Sequence, residues 1–370
     1  MMTRRLRVAI VAPTLEILGG HSVEADRMLR GWRDDPDVDA WLVPIDPRPT
    51  GALRLATRLK YIRTVVTEML YIPLLVRELR RADVVHIFSA SYSSFLLAPL
   101  PAVVVAKALN KPVVLNYHSG EAPDHLSRSR LAREVLARVD RNVVPSAFLR
   151  DVFRRFGLDA DMVSNTVDLE AFPFRERDPL RPKLLSTRNF GYPYNVAATL
   201  RAFAEVQRRV PAASLTLVGS GPDEPKLRAL ASGLQLTNVT FAGRVAPENI
   251  PAYYAAHDIY IQSPDLDNMP LSILEAFASG LPVVSTDVGG VSAMLTNERH
   301  GLLAGAGDHE ELAAQVCRLL DDPARARKMA RAAYQTCRNS TWGQVRDQWL
   351  RIYRSLSRDA HALLRPGVEW

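Results

Sequence analysis

Two carboxylates with a helix start between them are the residues best placed to do chemistry in this chain. In the stretch Ser263-Pro264-Asp265-Leu266-Asp267-Asn268-Met269-Pro270-Leu271-Ser272-Ile273-Leu274-Glu275, an apolar strand runs into a polar loop and then into a largely apolar helix. Pro270 suits the first turn of that helix, where a missing N–H costs nothing. The helix start offers unpaired N–H groups and a partial positive charge, which suit a phosphate. Asp267 and Glu275 bracket that position, and Glu275, one turn beyond Leu271, needs a hydroxyl or cation partner in its apolar surroundings. A ligand with phosphates in the middle and hydroxyls at both ends fits, and a nucleotide diphosphate sugar is such a ligand. Two glycine turns add to this. Gly19-Gly20 follows Ala12-Pro13, and Gly219-Ser220-Gly221-Pro222 follows Val218. Glycine after a strand lets backbone approach a ligand and leaves N–H donors free. Neither turn is a full dinucleotide fingerprint, and no acidic residue on the expected second strand completes one, which disfavours a nicotinamide-dependent dehydrogenase. His118, in Tyr117-His118-Ser119-Gly120, ends another apolar run; a lone histidine there is more often structural. Glu121, Asp124 and His125 follow it at spacings that fit no compact ligand set, so no metal is expected.

The elements that must carry these residues alternate short apolar runs with amphipathic stretches, as in parallel sheets covered by helices. Strands are expected at Arg7–Ala12, Ala40–Pro44, Val84–Phe88, Pro112–Tyr117 and Asn142–Pro145. A second series follows at Lys183–Ser186, Ser214–Gly219, Val239–Ala242, Ile259–Gln262 and Pro282–Thr286, with helices such as Val196–Val210 and Pro270–Ser279 between. Pro173 to Pro182, rich in proline and charge, reads as an interdomain linker. At 370 residues the chain is comfortable for two domains, and 47% hydrophobic with 24% charged residues is ordinary for a globular protein. No uninterrupted apolar run is long enough to span a bilayer, and the basic start Arg4-Arg5-Leu6-Arg7 leads into a buried strand rather than a signal peptide. Cys317 and Cys337 lack a CxxC or histidine partner, which argues against a disulfide framework and for a reducing cytoplasm. The net charge of +7 is spread over both halves, and no aromatic-basic signature suggests nucleic acid. Locally, residues 52–81 carry Arg54, Arg58, Lys60, Arg63, Arg77, Arg80 and Arg81 against Glu68 and Glu78, interleaved with leucines, isoleucines and valines. Such a segment suits either a membrane surface or a solvated face on a core helix.

The Asp267-x7-Glu275 stretch resembles the Glu-x7-Glu hallmark of the retaining GT-B glycosyltransferases of family 4 (glycosyl transferases group 1), with Asp in place of the first Glu. The resemblance spans most of the chain. Asn142 to Leu149 with Asn165-Thr166-Val167-Asp168 is similar to the family's end of the N-terminal domain, Phe241-Ala242-Gly243-Arg244-Val245 to its base-binding strand end, Thr286 with Gly289-Gly290 to a donor-side loop, and Trp342 through Tyr353 to its closing region. It implies an α/β fold of GT-B type: two Rossmann-like parallel-sheet domains with an interdomain cleft. Residues 1–176 would be the acceptor-side domain, 177–352 the nucleotide-sugar domain, and a helix over about 353–370 would pack back on the first. Asp267 and the backbone of Asn268, Met269, Pro270 and Leu271 would hold the donor sugar's hydroxyls, Leu271 and Ser272 its phosphate, Glu275 the ribose, and Arg244-Val245 the base. Gly19-Gly20 matches the family's glycine loop and His118 its active-site histidine; Gly219 and Gly221 lie on the donor side. Asp265-Leu266-Asp267 spells the metal motif of the other glycosyltransferase fold, but the surrounding pattern argues against that use. Arg188 matches an arginine that meets the donor diphosphate. The lysine usually five or six residues later is missing: those positions hold Pro193 and Tyr194. The implied reaction is transfer of a hexosyl group with retention, without cofactor, to an acceptor hydroxyl, a lipid-linked one if 52–81 meets the inner membrane face. A non-catalytic nucleotide-sugar-binding protein and a GT-B phosphorylase or epimerase share the pattern.

Overall fold

The computed structural model describes residues 4–17, 19–47 and 60–363. The chain divides into two compact units: one runs to Ser164 and takes up the chain again at Trp342, the other is Asn165–Thr341. In the first, β1 (Leu6–Ala12), β2 (Val38–Pro44), β3 (Val84–Ser89), β4 (Val113–Tyr117), β5 (Arg141–Val144) and β6 (Asp161–Met162) form one sheet in the order β2-β1-β3-β4-β5-β6. Every pairing is parallel. Side chains alternate across a strand, so β1 sends Val8 and Ile10 into one core and Ala9 and Val11 into another, and both faces of the sheet must be covered. The helices Gly20–Trp32 and Trp342–Leu363 cover one face through Met28, Trp32, Trp349 and Tyr353. Lys60–Arg80, Pro99–Ala108 and Ala147–Arg155 cover the other.

The second unit repeats the scheme with β7 (Lys183–Ser186), β8 (Ser214–Val218), β9 (Val239–Gly243), β10 (Ile259–Ile261), β11 (Val283–Thr286) and β12 (Leu302–Ala304), in the order β12-β11-β10-β7-β8-β9. This is the doubly wound order in which the chain direction across the sheet reverses between β7 and β10, and a ligand crevice opens at the carboxyl ends of those two strands. Ten strands agree with the sequence expectation to within two residues. β6 and β12, two and three residues long, carry too little alternation to be read.

Two boundaries differ from the expectation. The charged segment after Pro173 is no free linker. Arg177 is 2% exposed and donates to the carbonyl oxygens of Ser279 and Tyr254, while Arg175 and Arg181 both pair with fully buried Asp258. Phe174 packs on Tyr334 at 4.7 Å. Charges that look solvent-seeking in sequence are consumed by buried acceptors, so this segment belongs to the second unit, which starts at Asn165 rather than 177. The returning helix starts at Trp342 rather than 353, because Trp342 meets Trp32 edge-on at 4.7 Å and Arg346 pairs with Asp35 and Asp37 of the first unit.

Candidate active site

Of the residues predicted to hold the donor in the second unit, Arg188, Asp267 and Ser272 gather at the reversal point of its sheet. Thr187 and Arg188 leave the end of β7; Gln262 and the loop to Asp267 leave the end of β10. Arg188 Nη2 donates to Asp267 Oδ2 at 2.5 Å and Nη1 to Ser272 Oγ at 3.0 Å. The guanidinium also lies over the Tyr194 ring, 4.1 Å from its centroid. Burial opposes the charge on Arg188, yet the Asp267 carboxylate overcomes it and the pKa is raised above the ordinary arginine value. The other Asp267 oxygen accepts from the N–H of Asn268 at 2.8 Å.

Behind this pair stands the Leu271–Ser279 helix. Pro270 is its N-cap rather than its first residue, and no side chain caps it. The N–H groups of Leu271 and Ser272 therefore have no carbonyl to bond within the helix. Eight of its nine residues are buried, including Glu275 at 8% exposed. Glu275 stands by Tyr254, whose pKa burial and then that carboxylate push well above its ordinary value. A chain of hydrogen bonds joins the two ends of the motif. Ser272 Oγ donates to Gln262 Oε1 at 3.3 Å, as does Tyr260 Oη at 3.3 Å. Tyr260 reaches Thr187 Oγ1 at 3.4 Å, and Thr187 meets Tyr254 Oη at 2.8 Å. Thr187, Tyr254, Tyr260 and Gln262 were not singled out in sequence; they lie at no fixed spacing, and only the sheet brings them together.

The glycines act differently from the expectation. Gly219 does not leave its N–H free: it donates to Gly243 O at 2.9 Å. A Cβ on Gly219 would collide with the carbonyl of Arg188, and one on Gly221 with that of Phe190. These glycines admit the loop that carries Arg188, and their part in the site is to seat it. Gly289, at φ +54, does the same for the carbonyl of Asp267, with the N–H of Gly290 donating to that oxygen at 3.1 Å. Asn268 is buried and Met269 partly so; the Met269 carbonyl accepts from Asn165 at 2.8 Å. Arg244 is exposed and Val245 half-buried just past the end of β9, at the edge of the sheet.

In the first unit, Gly19 is the N-cap of the Gly20–Trp32 helix, and a Cβ on Gly19 or Gly20 would meet open space among the described residues. The helix start brings His21 to His118, ring centroids 5.3 Å apart, and His118 stacks on Phe88 at 5.1 Å. Burial lowers the pKa of His118 well below its ordinary value, with His21 and His86 adding to the effect. The glycine turn and the histidine predicted from separate strands thus share one end of one sheet. Asp124 is taken up by Tyr92 and Arg128, and His125 Nδ1 by Tyr117 Oη at 2.8 Å. No cluster suited to a metal ion occurs among the described residues.

Comparison with known proteins matches residues 53–171 to a family model described as Glycosyltransferase Family 4 and residues 181–322 to one described as Glycosyl transferases group 1. A sulfoquinovosyl transferase of Arabidopsis thaliana is 24% identical over 312 residues, which are 76% of this chain and 59% of that protein. A D-inositol 3-phosphate glycosyltransferase of Rhodococcus opacus is 30% identical over 276 residues, 69% of this chain and 62% of that one. The chain thus spans about three fifths of the length of these two relatives. The crystal structure of Anabaena HepE in complex with UDP-glucose superposes with a TM-score of 0.77 over 95% of this chain and all of that one, at 17% identity, a likeness of fold.

Proposed function

Because the chain belongs to the family 4, group 1 glycosyltransferases, we propose that it moves a hexosyl group from a nucleotide diphosphate sugar to an acceptor hydroxyl with retention at the anomeric carbon. The observation that carries this reading is the meeting of Arg188, Asp267, Ser272 and an uncapped helix start at the reversal point of one sheet. Arg188 and the N–H groups of Leu271 and Ser272 take the diphosphate, and Glu275 the ribose. Asp267 with the backbone of Asn268 to Leu271 takes the sugar, and the strand end at Arg244-Val245 the base. Gly19-Gly20 and His118 serve the sugar and acceptor side. The sugar–phosphate bond breaks towards an oxocarbenium-like state and the acceptor oxygen forms the new bond on the same face. The departing diphosphate takes the acceptor's proton. No protein nucleophile enters this scheme, so catalysis rests on positioning and on stabilising the leaving phosphate. No cofactor or metal takes part.

The test is a thermal-shift screen of UDP-, GDP- and ADP-sugars at millimolar concentration, followed by hydrolysis and transfer assays on each hit. A stabilising nucleotide sugar that is turned over supports the assignment; no shift with any of them removes it.

We also propose peripheral contact with the inner, cytoplasmic face of a membrane through 52–81 and a lipid-linked acceptor. No helix of the described residues is long and apolar enough to cross a membrane. Arg54 and Arg58 lie outside the described residues. Within the Lys60–Arg80 helix, Tyr71, Leu75 and Leu79 are fully buried, while Met69 is 71% and Ile72 39% exposed. Arg77 and Arg81 pair with Glu78. The free apolar side chains and the basic residues before them support the contact. Cosedimentation with anionic but not neutral liposomes is expected, and equal binding to both overturns it.

A further inference from the structure

Arg188 is held by an arrangement that no charge count describes. Its side chain is 9% exposed and its Nε has no hydrogen-bond partner among the described residues. Asp267 grips it through one oxygen and Ser272 through another, each by a single bond. Single bonds leave a guanidinium free to tilt; an aromatic ring packed close against it restricts that tilt. That ring is Tyr194, at one of the two positions where the resemblance places a lysine.

The Tyr194 loop is itself tied to the Asp267 loop. The N–H of Asp265 donates to Pro193 O at 2.9 Å, Asn195 Nδ2 to Asp265 Oδ1 at 2.8 Å, and Ser263 Oγ to Asn195 O at 2.8 Å. Ring, carboxylate and guanidinium therefore belong to one cross-linked frame.

We propose that Tyr194 is a positioning residue: its ring fixes the plane of the Arg188 guanidinium so that its unused N–H edge meets the donor diphosphate, and orientation of one cation takes the place of a second. This rests on the donor assignment above.

The test measures Kd by calorimetry on the full chain for UDP, GDP and ADP and for the matching monophosphates. The readout is the monophosphate-to-diphosphate Kd ratio, which reports the grip on the second phosphate. Tyr194→Phe keeps the π face and is expected to hold the wild-type ratio within about twofold. Tyr194→Leu is expected to lower the ratio roughly 3–30-fold, towards the Arg188→Ala value, and to add little in the double variant. Tyr194→Met, which fills similar space without a ring, stands in if the leucine variant does not fold. A ratio unchanged in Tyr194→Leu overturns the proposal. So does a fall of both affinities by one factor, which a purely structural role would produce. Absence of any nucleotide binding by the wild type overturns the donor assignment itself, a result separable from a changed ratio.

Discussion

Arg188 enters this protein as one residue among many arginines and becomes singular only through its neighbours. A leaving diphosphate gains negative charge, so its cationic contact strengthens in the transition state. With Tyr194 in place of a second cation, Arg188→Ala is expected to lower kcat by about one to two decades, since a charge-assisted bond is worth about 1.5–3 kcal/mol. The Kd for the same donor is expected to rise less. Comparing kcat with a separately measured Kd checks this, and a near-normal kcat would place the phosphates elsewhere. The position of Arg188 was readable by its place in a family pattern. Its ion pair with Asp267 was not, because the two are 79 residues apart and meet only where β7 and β10 lie side by side.

The element that matters most is the Leu271–Ser279 helix, and it is fixed at its far end. Gly280, at φ +74, turns the chain out of the helix, and Arg177 donates to the last helical carbonyl, that of Ser279, and to Tyr254 O at the end of the neighbouring Ile250–Ala256 helix. A cation suits a helix C-terminus, and stranded carbonyls in a buried place are costly. Arg177→Met keeps much of the volume and removes the donors. It is expected to destabilise the protein by about 3 kcal/mol, lowering Tm by roughly 6–12 °C in a unit of this size. A thermal melt measures it, and a shift within a degree would show the carbonyls satisfied without Arg177. The helix itself was legible from its apolar run and from the proline before it. The latch was not, because Pro173 to Pro182 has the composition of a linker, and composition does not reveal which charges find buried partners.

Across the whole molecule, acid should act through the histidines in and beside the first sheet, above all buried His86. His86 is fully buried, with Tyr353 Oη 2.7 Å from Nδ1 and Asn116 Nδ2 3.2 Å from Nε2; burial lowers its pKa to about 3. Phe88 and Trp349 pack against His86, and His118 and His21 continue the row beyond Phe88, with burial lowering the pKa of both histidines. A histidine whose folded pKa lies below its unfolded value of about 6.5 contributes its full stability above that pH and loses it as pH falls. His86 alone is expected to cost about 2 kcal/mol between pH 7 and pH 5. Tm followed from pH 7.5 to 5 should fall in the wild type and fall less in His86→Gln; parallel curves would exclude His86 as the source.

The alternation of apolar runs and amphipathic stretches was enough to place ten strands, two parallel-sheet units and the strand-loop-helix with its two carboxylates. That follows because the period of burial is a local property of the chain. Which strand lies beside which is not local. The order β12-β11-β10-β7-β8-β9 brings Arg188 to Asp267 and Ser272, seats the Arg188 loop on Gly219 and Gly221, and sets Gly289 under the Asp267 carbonyl. The start of the second unit at Asn165 and of the returning helix at Trp342 were likewise decided in three dimensions, by where Asn165, Arg175 and Trp32 found partners. Residue types at a spacing can name the chemistry a site is equipped for. Only packing determines which of those groups are spent on one another and which remain for a ligand.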